Sequence, residues 1–282
     1  RTAGIYAMIT SMEKKRKLET VRYTIKSEKL PRKMRPLKLV MLADLHDRLW
    51  GEHQRFLADK IEKLQGDLVL CAGDMLIAEK CAAMDHAVQL FEELKKRKIP
   101  VICGNGNHES RMRQCPETYG TQYEIYSRRL TACGVRILTD EVMDFSWEGQ
   151  KIRIYGYELP LSFYKKFRQL PFEGQDLREK FGIPDPEAFH ILLAHNPVYF
   201  DTYAAWGADL TLSGHLHGGI IRIPGIGGLI TPQAQLFPKY DRGLISVNGK
   251  YMVVSAGLGE HTVPIRIFNP PQLILITVEG NA

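Results

Sequence analysis

The sequence predicts an α/β fold in which two β-sheets stack as a sandwich and helices flank them. Three observations predict it. The first third alternates short apolar runs with amphipathic helical spacing, which is the mark of β-α-β-α-β order and a parallel sheet. The second half turns to short alternating runs around Glu148-Gly149 and Asn248-Gly249, which are hairpin signals. At 282 residues, 44% hydrophobic and 25% charged, the chain is long enough to bury a large core.

The elements follow in order. "RPLKLVMLADLHD" reads as a buried strand from Leu37 to Ala43 that delivers Asp44 and His46 to its C-terminal end. "HQRFLADKIEKL" has helical spacing, with Phe56, Leu57, Ile61 and Leu64 on one face. "GDLVLCAGD" is a second buried strand, Leu68 to Ala72, stopping at Gly73-Asp74. "EKCAAMDHAVQLFEELKKRK" is a second helix with lysines in its last turn, where the helix dipole favours them. "IPVICGNGNHES" is a third strand ending in a glycine-interrupted loop, and "QYEIYSRRLTACG" is a helix closed by Gly134. The residues from Val135 to Leu159 read as antiparallel strands. Residues 159–186 carry few strand signals and read as an insertion or lid. "FHILLAHNP" and "GADLTLSGHLHGG" are again apolar strands ending in polar loops, "LISVNGKYMVVSAG" is a hairpin, and "PPQLILITV" is a last strand.

The formal net charge of +6 suits an anionic substrate or an anionic membrane surface. The lysines and arginines are scattered, so no nucleic-acid partner is indicated. The densest basic run, "EKKRKLETVR", reads as a solvated flank. Five cysteines with no CxxC pair argue against a disulfide framework or a cysteine zinc site, which suits the cytoplasm. Cys71 and Cys103 lie in apolar runs and read as small buried hydrophobes. No apolar run approaches the ~20 residues of a spanning helix. The start "RTAGIYAMITSM" reads either as the remnant of a removed membrane anchor or as a plain chain boundary.

Five strand ends carry polar clusters: Asp44 and His46 in "ADLHD", Asp74 in "AGD", Asn107 and His108 in "GNHE", His195 in "LAHNP", and His215 and His217 in "GHLHGG". Ligands bind at the carboxyl ends of strands in open α/β sheets, and five of the nine histidines fall there. Carboxylate, imidazole and amide oxygen together suit Mn, Fe or Zn better than Mg or Ca. Two cations held close together need a shared anionic ligand, and an aspartate bridges well. The i, i+2 pair His215/His217 is expected to point both rings the same way from a strand end. His53, His86, His190 and His261 lack this context and read as surface or structural.

The ordered set DxH, GD, GNHE, AHNP and GHLHGG resembles the calcineurin-like metallophosphoesterases, from Asp44 to Gly219. "GGLITPQAQLFPKYDRGL" and "SAGLGEHTVPIRIFNPP" look like the bacterial, often membrane-tethered branch; members of related branches cleave UDP-diacylglucosamine. The resemblance implies a two-sheet α/β fold with residues 1–35 as an N-terminal extension and 36–282 as the catalytic domain. It implies two divalent or trivalent ions (Mn, Fe or Zn), one held by Asp44, His46, Asp74 and His217. The other is held by Asp74, Asn107, His195 and His215, with Asp74 bridging and His108 as the catalytic histidine. Asp47 stands where relatives often carry a neutral asparagine, and an extra carboxylate there is expected to shift metal preference or pocket charge. Asn105, in the first Gly-Asn pair of "GNGNHE", reads as a turn residue.

The leading expectation is a hydrolase of a phosphodiester or pyrophosphate bond in a lipid-linked or nucleotide-linked substrate, associated with a membrane; the alternative localisation is cytoplasmic. A phosphomonoesterase, such as a protein phosphatase, is the second reading. The third, a non-catalytic scaffold, is expected to have lost ligands, and none is missing. "LSFYKKFRQLPF", residues 161–172, reads as a lid contacting an acyl or aromatic group and a phosphate, or as an amphipathic surface helix. "GGIIRIPGIGGLITP" reads as an apolar rim or as a packed glycine-rich loop.

Overall fold

Two six-stranded mixed sheets lie face to face in the computed structural model, which describes residues 18–165, 169–219, 221–223, 227–230, 239–260, 266 and 268–282. The first sheet runs in the order β1 (Glu19–Ser27), β14 (Gln272–Gly280), β2 (Leu37–Leu42), β3 (Leu68–Ala72), β4 (Val101–Gly104) and β5 (Arg136–Leu138). From β2 to β5 every pairing is parallel. The second sheet runs β12 (Gly243–Val247), β13 (Lys250–Val254), β9 (Leu210–Ser213), β8 (Phe189–Ala194), β7 (Gln150–Tyr157) and β6 (Glu141–Trp147). Its edge pairs are antiparallel hairpins, turned at Glu148-Gly149 and Asn248-Gly249, and these four turn residues all have positive φ.

The central strands are apolar throughout because both of their faces are covered. Leu39 and Met41 of β2 join Leu70, Ile102 and Ile276 against Ile154, Ile191 and Leu212 of the opposite sheet. Val40 and Leu42 face outward onto α1 (Arg55–Lys63), α2 (Asp85–Lys96) and, after α3 (Asn107–Gln114), α4 (Gln122–Ala132). Outside the second sheet, Tyr155, Tyr157 and Leu192 pack with Leu177 of α5 (Gln175–Phe181) and Tyr203 and Trp206 of α6 (Phe200–Trp206).

Several expectations need correction. Glu19–Ser27, inside the stretch read as an extension, pairs in parallel with β14, so the sheet begins before residue 36. Phe56 is 43% exposed and stacks on Trp50, while Ala58 takes its place in the buried face beside Leu57 and Ile61. The loop expected after β4 is short, Asn105-Gly106, and a helix, α3, starts at Asn107 within the same motif. Residues 159–186 hold a 3-10 turn, Leu161–Tyr164, and α5. Phe163 and Phe172 turn inward there against Tyr199, and Phe172 also against Tyr203, so these rings fill a core layer and do not line an open lid. Part of the glycine-rich rim forms a short antiparallel pair, β10 (Ile221–Ile223) and β11 (Gly227–Ile230). Lys166, Phe167, Arg168, His261, residues 13–17 of the basic run and much of the two family-like segments near the C-terminus lie outside the described residues. All five cysteines are unpaired thiols. Among the described residues no helix is long and apolar enough to cross a membrane.

The parallel strands bring one set of ends to one edge. Asp44, Asp74, Asn107, His195 and His215 each follow within three residues of the carboxyl end of β2, β3, β4, β8 or β9.

Candidate metal centre

Backbone interlocking brings the loops together before any side chain contributes. The loop after β2 hydrogen-bonds to the loop after β3, from Asp44 N–H to Gly73 O (3.0 Å), His46 N–H to Asp74 O (3.2 Å) and Asp47 N–H to Met75 O (2.8 Å). Gly73 has φ +95° and lies so close to the backbone of Gly106 that a Cβ on it would overlap that residue; a Cβ on Gly106 would overlap Asp74. Only two glycines let these loops touch, and their contact sets Asp74 beside Asn107.

Strain is concentrated in the same place. Asp44, His46, Asp74, His215 and His217 all have φ between +49° and +69°. Side-chain-bearing residues seldom adopt this region, and such clustering marks functional sites.

The side chains form overlapping buried clusters. Asp44, His46 and His217 bring one donor atom each to a common point, as do Asp74, His195 and His215, and also His46, Asp74 and His108. His46 Nε2 lies 3.1 Å from His217 Nε2, and Asp44 Oδ1 lies 3.5 Å from His217 Nε2 and 3.9 Å from His46 Nε2. Donors about 2.1 Å from one ion stand roughly 3–3.5 Å apart, so this spacing fits a chelated cation. On the other side, His195 Nε2 is 2.9 Å from Asp74 Oδ2 and 3.7 Å from Asp44 Oδ1. Asn107 Oδ1 is buried with no hydrogen-bond partner among the described residues, an orphaned acceptor of the kind that a cation satisfies. These buried His/Asp clusters are consistent with a binuclear metal site. His215 and His217 do not point the same way from a strand end. β9 stops at Ser213, both histidines sit in a turn, and their rings join different clusters.

The surrounding bonds select ring nitrogens. His195 Nδ1 donates to Ala72 O at 2.6 Å, which leaves Nε2 as the nitrogen that faces the cluster. His108 Nδ1 accepts from Ala78 N–H at 2.9 Å, which leaves the proton on Nε2, 3.9 Å from Asp74 Oδ2. Burial pushes the Asp44 carboxyl up to about 7, with His195 opposing and Asp74 adding. Burial also disfavours the Asp74 anion, yet His195 and His108 hold its carboxyl well below the usual range. For His195 burial works downward, but Asp74 and Asp44 outweigh it and carry the ring up to about 10.

Other residues support the site without having stood out in the sequence. Glu109 is 2% exposed; Oε2 accepts from Asp74 N–H and Gly106 N–H (both 2.9 Å) and Oε1 from Met75 N–H (2.8 Å). It ties the Asp74 loop to the start of α3. Its place in "GNHE" is the only local signal, since its partners are backbone groups, two of them more than 30 residues away. Asn269 donates to the carbonyls of His217 and, at 2.7 Å, Gly219. Asp47 turns away from the pocket: Oδ1 accepts from Ala87 N–H (2.8 Å) at the start of α2, and Oδ2 faces His86 Nδ1 at 3.4 Å. A carboxylate there suits the helix dipole, so the expected shift in pocket charge has no basis. Asn105 is no mere turn residue; it is buried and donates to Tyr123 Oη (2.8 Å) and Glu158 Oε1 (2.6 Å). Tyr164 packs its ring against the His215 ring at 4.9 Å.

The chain is similar to known proteins. Residues 37–219 match the family model for calcineurin-like phosphoesterases. The uncharacterized metallophosphoesterase YkuE of Bacillus subtilis (strain 168) is 26% identical over 268 residues, covering 93% of this chain and 86% of that protein. An uncharacterized metallophosphoesterase of Aquifex aeolicus (strain VF5) is 27% identical over 268 residues, covering 93% and 92%. The crystal structure of phosphopantetheinyl hydrolase from Mycobacterium tuberculosis shares 16% identity over 78% of this chain and 88% of that one, with a TM-score of 0.47. The family match runs from the first residue of β2 to just beyond His217, and so spans every member of the buried clusters. The chain therefore belongs to the calcineurin-like phosphoesterase family, metal-dependent hydrolases of phosphoric ester bonds.

Proposed function

We propose that the chain hydrolyses a phosphodiester or pyrophosphate bond, in a lipid-linked or nucleotide-linked substrate, at two metal ions that share Asp74. The supporting observation is that Asp74 belongs to two buried clusters at once, one with His195 and His215 and one with His46 and His108. Asp44, His46, Asp74 and His217 would hold one ion; Asp74, Asn107, His195 and His215 would hold the other. The donor set suits Mn, Fe or Zn. Bound there, two cations lower the pKa of a water towards neutrality and offset the charge that builds on the phosphoryl oxygens.

The chain's own residues do the rest. Asp74 Oδ1 accepts from His108 N–H at 2.9 Å, which fixes the carboxylate plane while Oδ2 faces the His195 side. His108, with its proton on Nε2, stands at the edge of the cluster to donate to the departing alcohol oxygen. The net charge of +6 supports an anionic substrate and, for a lipid-linked one, association with an anionic membrane surface. The manganese-loaded protein is expected to show at least a tenfold higher kcat/KM for bis-p-nitrophenyl phosphate than for p-nitrophenyl phosphate. The reverse order would favour a phosphomonoesterase, and turnover of neither would overturn the reading. A lipid-linked ester in vesicles, run beside a soluble nucleotide ester, separates the two substrate classes.

The Asp44 carboxyl sets a pH dependence. It is held at about 7 in the fold against an ordinary 3.8, so between those values the metal-free fold binds more protons than the unfolded chain. Its contribution to stability is thus full below about pH 4 and is lost as pH rises through 7. Cation binding requires the ionised form. The rise in Tm produced by saturating manganese is therefore expected to grow from pH 5 to pH 8. A thermal scan showing the same gain at both ends contradicts this.

A further inference from the structure

We propose that Phe268 is a specificity-determining residue, a platform on which a planar aromatic ring of the substrate's organic group stacks. The inference rests on the phosphoesterase reading and narrows its substrate class. Fourteen described residues other than glycine have positive φ, and Phe268 (φ +52°) is the one apolar side chain among them. A bulky residue in that region is an outlier. The residue is nevertheless 70% exposed, the most exposed aromatic among the large hydrophobics of the described residues. The strained backbone therefore serves no packing inside the described fold.

What holds this backbone in place is the metal centre. On one side of Phe268, Arg266 donates to Ala256 O (2.6 Å) and to Gly259 O, and its Nη2 lies 3.4 Å from His217 Nδ1. On the other side, Asn269 is buried and bonds to the carbonyls of His217 and Gly219. The strap is thus fastened on both flanks to the loop carrying a metal-cluster histidine, and Phe268 is left projecting from it. Arg266, Phe268, Asn269 and Pro270 line a cleft of about 210 Å³. That is room for one ring system. The described lining is mainly apolar, and its volume falls below the roughly 300–1,000 Å³ of an ordinary ligand pocket, so it takes a compact group rather than an extended chain. A heterocycle presents an apolar face to Phe268 and polar edges to its neighbours, and base–aromatic stacking is a favourable contact.

The test is calorimetric binding to the manganese-loaded protein, which does not depend on turnover. The probes are thymidine 5′-monophosphate, methyl phosphate and octyl phosphate. Wild-type protein is expected to bind the nucleotide at least tenfold more tightly than methyl phosphate. Phe268→Ala and Phe268→Gly should lose that margin with methyl phosphate affinity unchanged, and Phe268→Tyr should keep it. Phe268→Gly should also raise Tm, because glycine adopts positive φ without strain, so the loss of binding cannot be ascribed to unfolding. Equal wild-type affinities for nucleotide and methyl phosphate, a margin surviving in Phe268→Ala, or an equal loss for octyl phosphate would overturn the proposal. Failure of the hydrolytic assay with bis-p-nitrophenyl phosphate would instead strike the phosphoesterase reading, leaving these affinities interpretable.

Discussion

Asp74→Asn is expected to lower kcat by roughly three orders of magnitude, the scale on which a well-aimed electrostatic contact with a transition state is lost. Asparagine has nearly the same shape. Its carbonyl oxygen can still accept from His108 N–H, the bond Asp74 Oδ1 makes at 2.9 Å. What disappears is the charge, and with it the anion able to face two cations. At Oδ2, where His195 Nε2 lies at 2.9 Å, an amide presents hydrogens in place of lone pairs. The substitution should therefore reduce bound manganese from two ions to one or none. In the metal-free fold the Asp74 charge acts two ways: it helps push the Asp44 and Glu109 carboxyls up to about 7, and it pairs with His195 and His108. Removing it relieves the carboxylate repulsion but leaves the buried His195 ring, 2.9 Å away, without its partner, so metal-free stability should fall. Loss of bound manganese and of turnover in a variant that remains folded separates a ligand from a structural residue; wild-type turnover of bis-p-nitrophenyl phosphate by the variant would refute the role.

Glu109→Ala is expected to damage the fold first. Three buried amides, at residues 74, 75 and 106, would lose their acceptor. Each unsatisfied donor costs about 1–3 kcal/mol, so the three together cost on the order of 3–9 kcal/mol. The loops carrying Asp74 and Asn107 would lose their common anchor, so manganese affinity should fall as well. Glu109→Gln keeps one acceptor oxygen and should fall between the two. Urea unfolding with and without manganese measures both effects. A stability loss below about 1 kcal/mol for the alanine variant would show that the three amides find other partners.

The strands and the candidate site were legible for one physical reason: buried parallel strands are continuously apolar, and their ends are polar. Leu37 to Ala43 and Leu68 to Ala72 announce themselves that way, and Asp44 and Asp74 stand where the apolar runs stop. Glu109 was not legible because a buried carboxylate paired with backbone amides leaves no complementary residue to find. Asn269 is hidden likewise, since its partners are carbonyls about 50 residues earlier. The fate of Asp47 depends on where α2 begins in space. β1 is masked in the sequence because its alternating Val21, Tyr23 and Ile25 adjoin a basic run that has the look of a solvated flank. The inward turn of Phe163 and Phe172 depends on Tyr157, Tyr199 and Tyr203, which belong to other elements.

The central claim is that Asp74 joins two ions, and anomalous diffraction from crystals grown in excess manganese tests it most directly. Two peaks are expected about 3.5–4 Å apart, one beside Asp44, His46 and His217 and the other beside Asn107, His195 and His215, each within bonding distance of an Asp74 oxygen. A single peak, or two peaks that Asp74 does not touch, would contradict the account.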